Sequence, residues 1–259
     1  MPEGDTVHRT ARMLDRALSG DLLTRTDFRV PQLATVDLSG ARVEDTVARG
    51  KHLLTRIAGD ERWTLHTHLK MEGAWRVHRP GERWQRPSDQ ARVVLETPRC
   101  TAVGFSLGVE LLPTAREDDA VGHLGPDLLG PGWDADEAVR RLLAEPGRPV
   151  HEALLDQRLL AGIGNLYAAE LCFLAGVRPD RPVGEVPDLA RLVRRAHQVL
   201  TTNVGRSTQS TTGDLRRGRT TWVYRQRACR RCGTAVEVEM QGPDGRERAA
   251  YWCPSCQPA

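Results

Sequence analysis

Four cysteines near the C-terminus have the spacing of a metal site. Cys229 and Cys232 form one C-x2-C pair, Cys253 and Cys256 form a second, and residues 233–252 lie between the pairs. Two such pairs at this separation are typical of a tetrahedral Zn²⁺ site with four thiolate ligands. Two disulfides are the alternative, which a cytoplasmic location disfavours. The spacing therefore predicts one structural zinc ion that holds a hairpin over 234–252, too small to have its own core.

A second candidate reagent is the N-terminus, Met1-Pro2-Glu3-Gly4. Met1 precedes a small residue, so we expect its removal to leave Pro2 as a free secondary amine. An α-amine has a pKa of about 8, so roughly a tenth is unprotonated at neutral pH and can form an iminium with an aldehyde-like carbon. Glu3 could move protons beside it. Such a start is common, so alone it does not distinguish a catalyst from an ordinary N-terminus.

Basic residues are unevenly distributed along the chain. Between Arg206 and Arg231 there are eight arginines and one acid, Asp214, although the net charge of all 259 residues is only +3. Such a block indicates a polyanionic partner, with a solvated surface as the alternative. Only two of the 37 basic residues are lysines, Lys51 and Lys70. Because lysine can lose its proton and arginine effectively cannot, these positions are candidates for a required amine.

The segment 66–73, HTHLKMEG, contains two alternating histidines and a methionine. His66 and His68 face one side of a predicted strand, which is one requirement of a metal site. No third ligand is near them in the sequence, so we do not expect metal there. Taken alone, Met71 is interpreted as a core residue.

The hydrophobic pattern predicts the elements that must position these residues. Residues 5–19 have apolar side chains at helical spacing, and Gly20 ends the pattern. Between Leu22 and Leu112 short runs predict an all-β domain, with strands in HLLTRI, RWTLHTHL, GAWRVHR, ARVVLET and TAVGFSL. From Asp134 the period becomes helical, and the tight turn AGIGN joins two helices. We place a domain boundary at 115–133. No run approaches 18 apolar residues, so no membrane span is predicted.

Four separated motifs resemble one known family. They are MPEG at the N-terminus, RGKHLL at 49–54, DQRLLAGIGNLYAAE at 156–170 and the four-cysteine finger. Their order and spacing are similar to those of the Fpg/Nei family of DNA glycosylases over essentially the whole chain, and LLDQRLLAGIGN and YWCPSCQ look more like endonuclease VIII. The resemblance implies an α+β protein. Residues 1–118 would be a catalytic β-sandwich with an N-terminal helix, 133–204 a helix–two-turn–helix DNA-binding domain, and 220–259 a zinc-finger hairpin.

The resemblance also implies roles for individual residues. Pro2 matches the nucleophile that attacks C1′ of a damaged nucleotide and forms a Schiff base, and Glu3 matches the acid that assists opening of the sugar ring. Lys51 matches a β-hairpin lysine that contacts phosphate and assists elimination. Asn165 matches the asparagine that binds the DNA backbone, although its position also permits a helix cap. Arg248 matches the finger arginine that binds phosphate and assists δ-elimination. Solvated surface positions are the alternative for Lys51 and Arg248.

A loop at Lys70-Met71-Glu72 matches the one that enters the duplex and fills the gap left by a flipped base. Met71 would be the wedge, and Lys70 would lie near the backbone or the unpaired base. Glu72 stands where endonuclease VIII has an aromatic residue in a Gln-Leu-Tyr pattern, so recognition of the opposite base is left open. His123 lies near the family's duplex-contacting arginine and would contact DNA in its place.

The N-terminus departs from the family pattern as well, because Asp5-Thr6 stands where the commonest members have Pro-Glu. These residues can cap the first helix, but a carboxylate that orders the site in relatives is missing at Thr6. Selection of the damaged base would depend on loops within 203–224, where no motif is recognisable.

Together these features predict a bifunctional DNA glycosylase/AP lyase of base excision repair. It would remove oxidised bases, pyrimidines above all, through a Schiff base on Pro2 and cut the strand by β,δ-elimination. We expect a monomer that binds damaged DNA in the bacterial cytoplasm at the nucleoid, with one structural Zn²⁺. No small-molecule cofactor is expected, because the iminium is the electron sink. The alternative is a zinc-finger protein that binds damaged or structured nucleic acid, RNA included, without chemistry.

Overall fold

A computed structural model describes residues 2–245 and 247–258. The expected removal of Met1 therefore concerns a residue outside the described part of the chain. The chain divides into two compact units, residues 1–123 and 124–259. Across the described residues, no helix combines the length and the apolar character needed to span a bilayer.

Helix α1 (Gly4–Leu18) opens the first unit. Its apolar residues recur every three or four positions, and Val7, Leu14 and Leu18 are buried. Glu3 occupies the N-cap position with extended backbone, φ −118° and ψ −175°. The prediction that Asp5-Thr6 caps this helix is wrong, because both residues are already helical and a cap needs non-helical backbone. Asp5 lies instead in the first turn, where a carboxylate complements the positive end of the helix dipole.

Two four-stranded antiparallel sheets make up most of the rest of this unit, as the sequence predicted. One sheet has the order β1-β6-β7-β5 and consists of β1 (Arg25–Phe28), β5 (Ala74–His78), β6 (Ala91–Glu96) and β7 (Thr101–Phe105). The other has the order β2-β3-β4-β8 and consists of β2 (Arg42–Arg49), β3 (His52–Ala58), β4 (Arg62–His68) and β8 (Gly108–Pro113). Strands β1, β2 and β8 lie outside the five predicted runs.

Alternation along β3 and β4 gives the second sheet two different faces. Leu53, Ile57 and Leu65 are buried in a core that also contains residues of α1 and of the first sheet. Because successive side chains of a strand point to opposite faces, His52 and His66 project from the other side. Part of that side is closed by the short helix α2 (Glu117–Val121), where the Arg56 guanidinium donates to the Glu117 carboxylate over 2.7 Å.

Four helices form the framework of the second unit: α3 (Ala135–Leu142), α4 (Val150–Leu155), α5 (Asn165–Ala175) and α6 (Leu189–Val204). Asp134 caps α3, accepting from the backbone N–H groups of residues 136 and 137. Helix α5 is buried on nearly all sides, so its sequence is apolar almost throughout. It ends at Gly176, whose left-handed φ of 71° suits a glycine C-cap.

A C-terminal hairpin packs against these helices. It pairs β9 (Glu237–Gln241) with β10 (Arg248–Trp252), and Arg248 lies opposite Gln241. Cys229 and Cys253 share one buried cluster with Phe173 of α5 and with Val223. The finger and the helices, which the sequence divided at 204 and 220, thus belong to one compact unit.

Candidate active site

The N-terminal pair lies directly before α1. Pro2 is half-buried, and Glu3 has no exposed surface. The Glu3 carbonyl accepts the first hydrogen bond of the helix from the Val7 N–H over 3.0 Å. The buried face of α1 therefore fixes the backbone that carries Pro2, and an N-terminal amine there is held at a rigid helix start.

Lys51 lies in the two-residue turn of the β2–β3 hairpin, as the resemblance implied. Arg49 pairs with His52 across this turn. Gly50 adopts a left-handed φ of 58°, which residues with a β-carbon rarely adopt. The tight turn and Gly50 fix where the half-buried Lys51 leaves the sheet.

Histidines crowd the sheet face next to Lys51. The rings of His52 and His66 are nearly parallel, with an interplanar angle of 20° and centroids 5.0 Å apart, and their nearest nitrogens are 2.8 Å apart. The rings of His68 and His123 are steeply inclined to that of His52, with centroids 5.4 Å and 6.3 Å away. Burial is the main cause that lowers the pKa of His52 to about 3, and the surrounding imidazoles and Lys51 lower it further. The sequence singled out three of these histidines but gave no sign that His52 joins them.

The turn after β4 presents Met71 to solvent. Met71 is 62% exposed, so its interpretation as a core residue is wrong. Lys70 has a left-handed φ of 50°, and its N–H donates to Nδ1 of His68 over 2.9 Å. The Glu72 carbonyl accepts a hydrogen bond from Arg86, 3.1 Å away. A β-carbon at position 73 would collide with the Leu69 carbonyl, so the turn requires Gly73.

The AGIGN turn between α4 and α5 is built around Gln157. Its side chain donates to the carbonyls of Leu155 and Ile163 and accepts from the Gly162 N–H. Gly162 has a left-handed φ of 108°, which a glycine tolerates. The internal amide of Gln157, which sequence reasoning did not single out, thus holds the shape of the turn.

Asn165 is the first residue of α5, and Gly164 occupies the N-cap position. The interpretation of Asn165 as a helix cap is therefore wrong. Its side chain is almost fully buried, and Nδ2 donates to the Ala249 carbonyl in β10 over 2.9 Å. Arg248, the neighbour of Ala249, is exposed at the start of the same strand. The structure thus brings together two of the predicted DNA-binding positions, Asn165 and Arg248.

Glu170 of α5 is a buried acid that sequence reasoning missed. It has no exposed surface and accepts hydrogen bonds from the backbone N–H groups of Trp222, Val223 and Tyr224, at 2.7 to 2.8 Å. The Thr211 hydroxyl is a fourth donor to the carboxylate. Burial raises the pKa of Glu170, and the four donors act in the opposite direction. A single acid inside the apolar stretch LYAAELCFLA was the available signal. The carboxylate fixes both ends of segment 211–224, part of the region expected to select the base.

The four predicted ligand cysteines converge. Their sulfur atoms all lie within 4.8 Å of one another, and among the described residues no other group of three or more potential metal ligands does so. The Sγ atoms of Cys232 and Cys253 are 3.4 Å apart, and those of Cys229 and Cys256 are 3.9 Å apart. Four thiolates about 2.3 Å from a central tetrahedral ion would have separations of this size. The donor set therefore fits a metal ion with affinity for sulfur.

Comparisons with known proteins identify the family that has this fold and these motifs. The model of the formamidopyrimidine-DNA glycosylase N-terminal domain matches residues 1–106, and that of the H2TH domain of the same proteins matches residues 124–214. The chain belongs to the formamidopyrimidine-DNA glycosylase (Fpg/Nei) family. A probable endonuclease 8 2 of Streptomyces coelicolor is 55% identical, covering 99% of this chain and 94% of the relative. The DNA-(apurinic or apyrimidinic site) lyase Nei2 of Mycolicibacterium smegmatis is 50% identical, with both chains fully covered.

A solved structure has the same fold. Lactococcus lactis Fpg, in a complex with DNA containing an abasic site, superposes with a TM-score of 0.81 at 21% identity. The match covers 99% of this chain and 100% of that one. The predicted family and fold, a β-sandwich followed by a helix–two-turn–helix domain, are therefore confirmed.

Proposed function

We propose that this chain is a bifunctional DNA glycosylase/AP lyase of base excision repair. The observation that carries the proposal is the N-terminal Pro2-Glu3 pair at the start of α1, in a chain 50% identical over its full length to an AP lyase. Oxidised bases, pyrimidines above all, are the proposed substrates, in keeping with relatives named endonuclease 8.

In the proposed reaction the Pro2 nitrogen attacks C1′ of the damaged nucleotide. The bond from C1′ to the base breaks as the bond to nitrogen forms, and the base leaves after taking a proton. Glu3 assists opening of the sugar ring by protonating the ring oxygen, which yields the iminium. The iminium then accepts the electron pair released when C2′ loses a proton, and the 3′ C–O bond breaks. A second elimination breaks the 5′ C–O bond and frees the sugar remnant. No small-molecule cofactor is needed for these steps.

Phosphate contacts would hold the DNA in a form that exposes C1′. Extruding a nucleotide costs a few kcal/mol, which contacts on both sides of the lesion offset. We assign these contacts to Lys51, Asn165 and Arg248, with His123 as an additional duplex contact. One amide hydrogen of Asn165 is already donated to the Ala249 carbonyl. Its proposed contact with phosphate therefore uses the other amide hydrogen.

Met71 is the proposed wedge, with Lys70 beside it. An exposed methionine on a rigid turn has no evident packing role in the free protein, and its flexible apolar side chain suits an opened base stack.

We infer that Cys229, Cys232, Cys253 and Cys256 hold one structural Zn²⁺. The ion would supply the fixed centre that the hairpin needs to present Arg248, and no step of the reaction is assigned to it. The proposed enzyme works as a monomer on damaged DNA, at the nucleoid in the bacterial cytoplasm, in keeping with its bacterial relatives.

Borohydride trapping tests the proposed chemistry. Untagged protein, incubated with duplex DNA containing an oxidised pyrimidine, should form a reduced covalent adduct, and the sequence of the adducted peptide should place the DNA on Pro2. Protein that retains Met1 is the matched control and should bind the duplex without trapping. If untagged protein binds but gives no adduct, or if the retained-Met1 form traps equally well, the chain is a nucleic-acid-binding protein without this chemistry. Competition with structured RNA at matched salt then identifies the preferred ligand.

A further inference from the structure

Three strands of the second sheet contribute to one chain of hydrogen bonds. His52 of β3 and His66 of β4 approach each other with His52 Nδ1 2.8 Å from His66 Nε2. The other nitrogen of His66, Nδ1, lies 3.1 Å from Oε2 of Glu110 in β8. Strand register sets this order, because His66 is the cross-strand partner of Glu110 and lies diagonal to His52. The chain runs from Glu110 at the surface to the more buried His52.

These contacts assign a hydrogen to each ring. An ionised carboxylate only accepts hydrogen bonds, so His66 must carry its hydrogen on Nδ1 and present a bare Nε2. His52 must then donate from Nδ1 to that nitrogen. A neutral imidazole has one N–H, so Nε2 of His52 is left without a hydrogen. The chain from Glu110 therefore leaves one basic nitrogen at its far end.

The surroundings of His52 oppose a positive charge in the free protein. Lys51 precedes it in the hairpin turn, and the imidazoles of His66, His68 and His123 contribute on the remaining sides. Lys70 adds positive charge near His68, whose pKa is lowered mainly by burial and then by Lys51. Glu110 contacts the cluster through its hydrogen bond with His66. An anion bound at this edge would make a positive charge on His52 less unfavourable.

We propose that Glu110 and His66 are positioning residues for His52, and that through them the binding of a DNA phosphate beside Lys51 becomes linked to the uptake of one proton at His52. The inference rests on the proposed function, which puts a phosphate at Lys51. The phosphate offsets the charge of Lys51, and a solvent proton then binds Nε2 of His52. The Nδ1 hydrogen bond passes part of the positive charge to His66, where Glu110 is the counter-charge. No covalent bond changes other than the new N–H bond.

Proton binding at His52 and DNA binding are linked, and this linkage sets the direction of the expected pH dependence. Burial and neighbouring cations hold the pKa of His52 at about 3 in the free protein, so the ring is uncharged above pH 6. The phosphate must raise that pKa from about 3 to above 6 for the complex to bind more protons than the free protein in the pH range of the test. Affinity for DNA is therefore gained as the pH falls through the raised value and lost as the pH rises through it. Uptake of one proton changes the dissociation constant by at most about tenfold per pH unit.

The test measures the affinity for a duplex with a tetrahydrofuran abasic analogue, which cannot form an iminium, from pH 8.5 to pH 6 at constant ionic strength. The wild-type protein should bind more tightly at low pH, and Glu110→Gln and His66→Gln should lose at least half of the slope of log Kd against pH. Glu110 is 64% exposed, so its replacement should not prevent folding. Glu61→Gln is the matched control, because it removes an exposed carboxylate at the opposite end of β4 and should leave the slope unchanged.

Three results would overturn the inference. One is a wild-type affinity that does not change with pH. Another is a wild-type slope that Glu110→Gln and His66→Gln both retain, which would assign the protons to other groups such as His68, His123 or the Pro2 amine. The third is a ¹⁵N NMR spectrum of the free protein at pH 7.5 with the hydrogen of His52 on Nε2. None of these results depends on catalysis. If the protein forms no adduct with borohydride but keeps the Glu110-dependent slope, the proposed Pro2 chemistry is contradicted. The proton linkage at His52 is not.

Discussion

The amide nitrogen of Asn165, at the first turn of α5, donates to the main-chain oxygen of Ala249 in the C-terminal hairpin across 2.9 Å. The residues are 84 positions apart in sequence, and the bond fixes the start of β10 relative to the helix. Arg248, immediately before Ala249, has an exposed side chain that donates a hydrogen bond to the neighbouring carbonyl of Glu247. The position of Arg248 is therefore set through the backbone that Asn165 holds.

Replacing Asn165 by Asp should uncouple the hairpin from α5. The carboxylate would face the Ala249 carbonyl with no hydrogen to donate, and a buried acceptor left unpaired costs roughly 1–3 kcal/mol. We expect urea denaturation to show a loss of that size, and we expect δ-elimination on abasic-site DNA to fall more than β-elimination. Thr202→Ala, an exposed site on α6, is the control. An equal fall of both eliminations would argue against a specific effect on Arg248.

Glu170→Gln should damage base excision more than strand cleavage. The amide replaces one accepting oxygen by an NH2 group, which would meet one or two of the backbone N–H donors from residues 222–224 and leave them unsatisfied. Segment 211–224 would shift, with an effect on binding of the damaged base. We expect the single-turnover excision rate to drop at least about tenfold, equivalent to about 1.4 kcal/mol, with a smaller loss on DNA that already has an abasic site.

The matched control for this variant is Glu152→Gln, which removes the same charge from α4 of the same unit. It should leave both activities near those of the wild type. If Glu170→Gln lowers the two activities in the same proportion, Glu170 stabilises the fold generally and does not position the segment that we propose selects the base.

Met71→Ala should weaken DNA binding without affecting the fold. The side chain is 62% exposed, and exposed substitutions usually change the free energy of unfolding by less than about 0.5 kcal/mol. A wedge offsets part of an unstacking cost of a few kcal/mol, so we expect roughly a tenfold increase in Kd for lesion duplex. Met240→Ala, at 61% exposure on β9, is a closely matched control. A Met71 variant that binds as tightly as the Met240 variant would exclude the wedge.

Metal removal should release the finger. A chelator strong enough to compete with four thiolates should extract one Zn²⁺ per chain, as measured by atomic emission, and DNA affinity should fall with the metal content. Cys232→Ser should reproduce the loss, whereas Cys100→Ser, a buried thiol outside the cluster, should retain the metal. Protein with no bound zinc but full DNA affinity would contradict a structural role for the ion.

A buried histidine should make the fold sensitive to acid. His151 of α4 has no exposed surface, and burial lowers its pKa to about 4 despite an opposing interaction with Asn165. Its folded-state pKa is below the unfolded value of about 6.5, so its contribution to stability is complete above pH 6.5 and decreases as the pH falls towards 4. The free energy of unfolding should fall by up to about 1.4 kcal/mol per pH unit over this range. His151→Gln should flatten the dependence, which denaturation at several pH values measures.

Short sequence patterns predicted those elements whose structure depends on neighbouring residues. The buried stripe of α1, the alternation of β3 and β4 and the C-x2-C pairs are each readable within a short window, and they placed the helix, the sheet and the cysteines correctly. The cap interpretation of Asn165 was wrong because Gly164 is the N-cap, and the true partner of its amide comes from a strand 84 residues away. The Glu110–His66–His52 chain depends on the register of three strands, which no short window contains. Glu170 has partners in a segment without periodicity, so only the tertiary structure identifies them.

Glu170 holds segment 211–224 mainly through main-chain groups of the segment. Three of the four donors are main-chain N–H groups, which every residue except proline supplies. Exposed positions between the anchored ends can therefore mutate while the attachment points keep the same chemistry. Such a segment can explore new substrate ranges under selection without losing its place in the fold, and directed evolution of altered lesion preference would begin with libraries at positions 215–219.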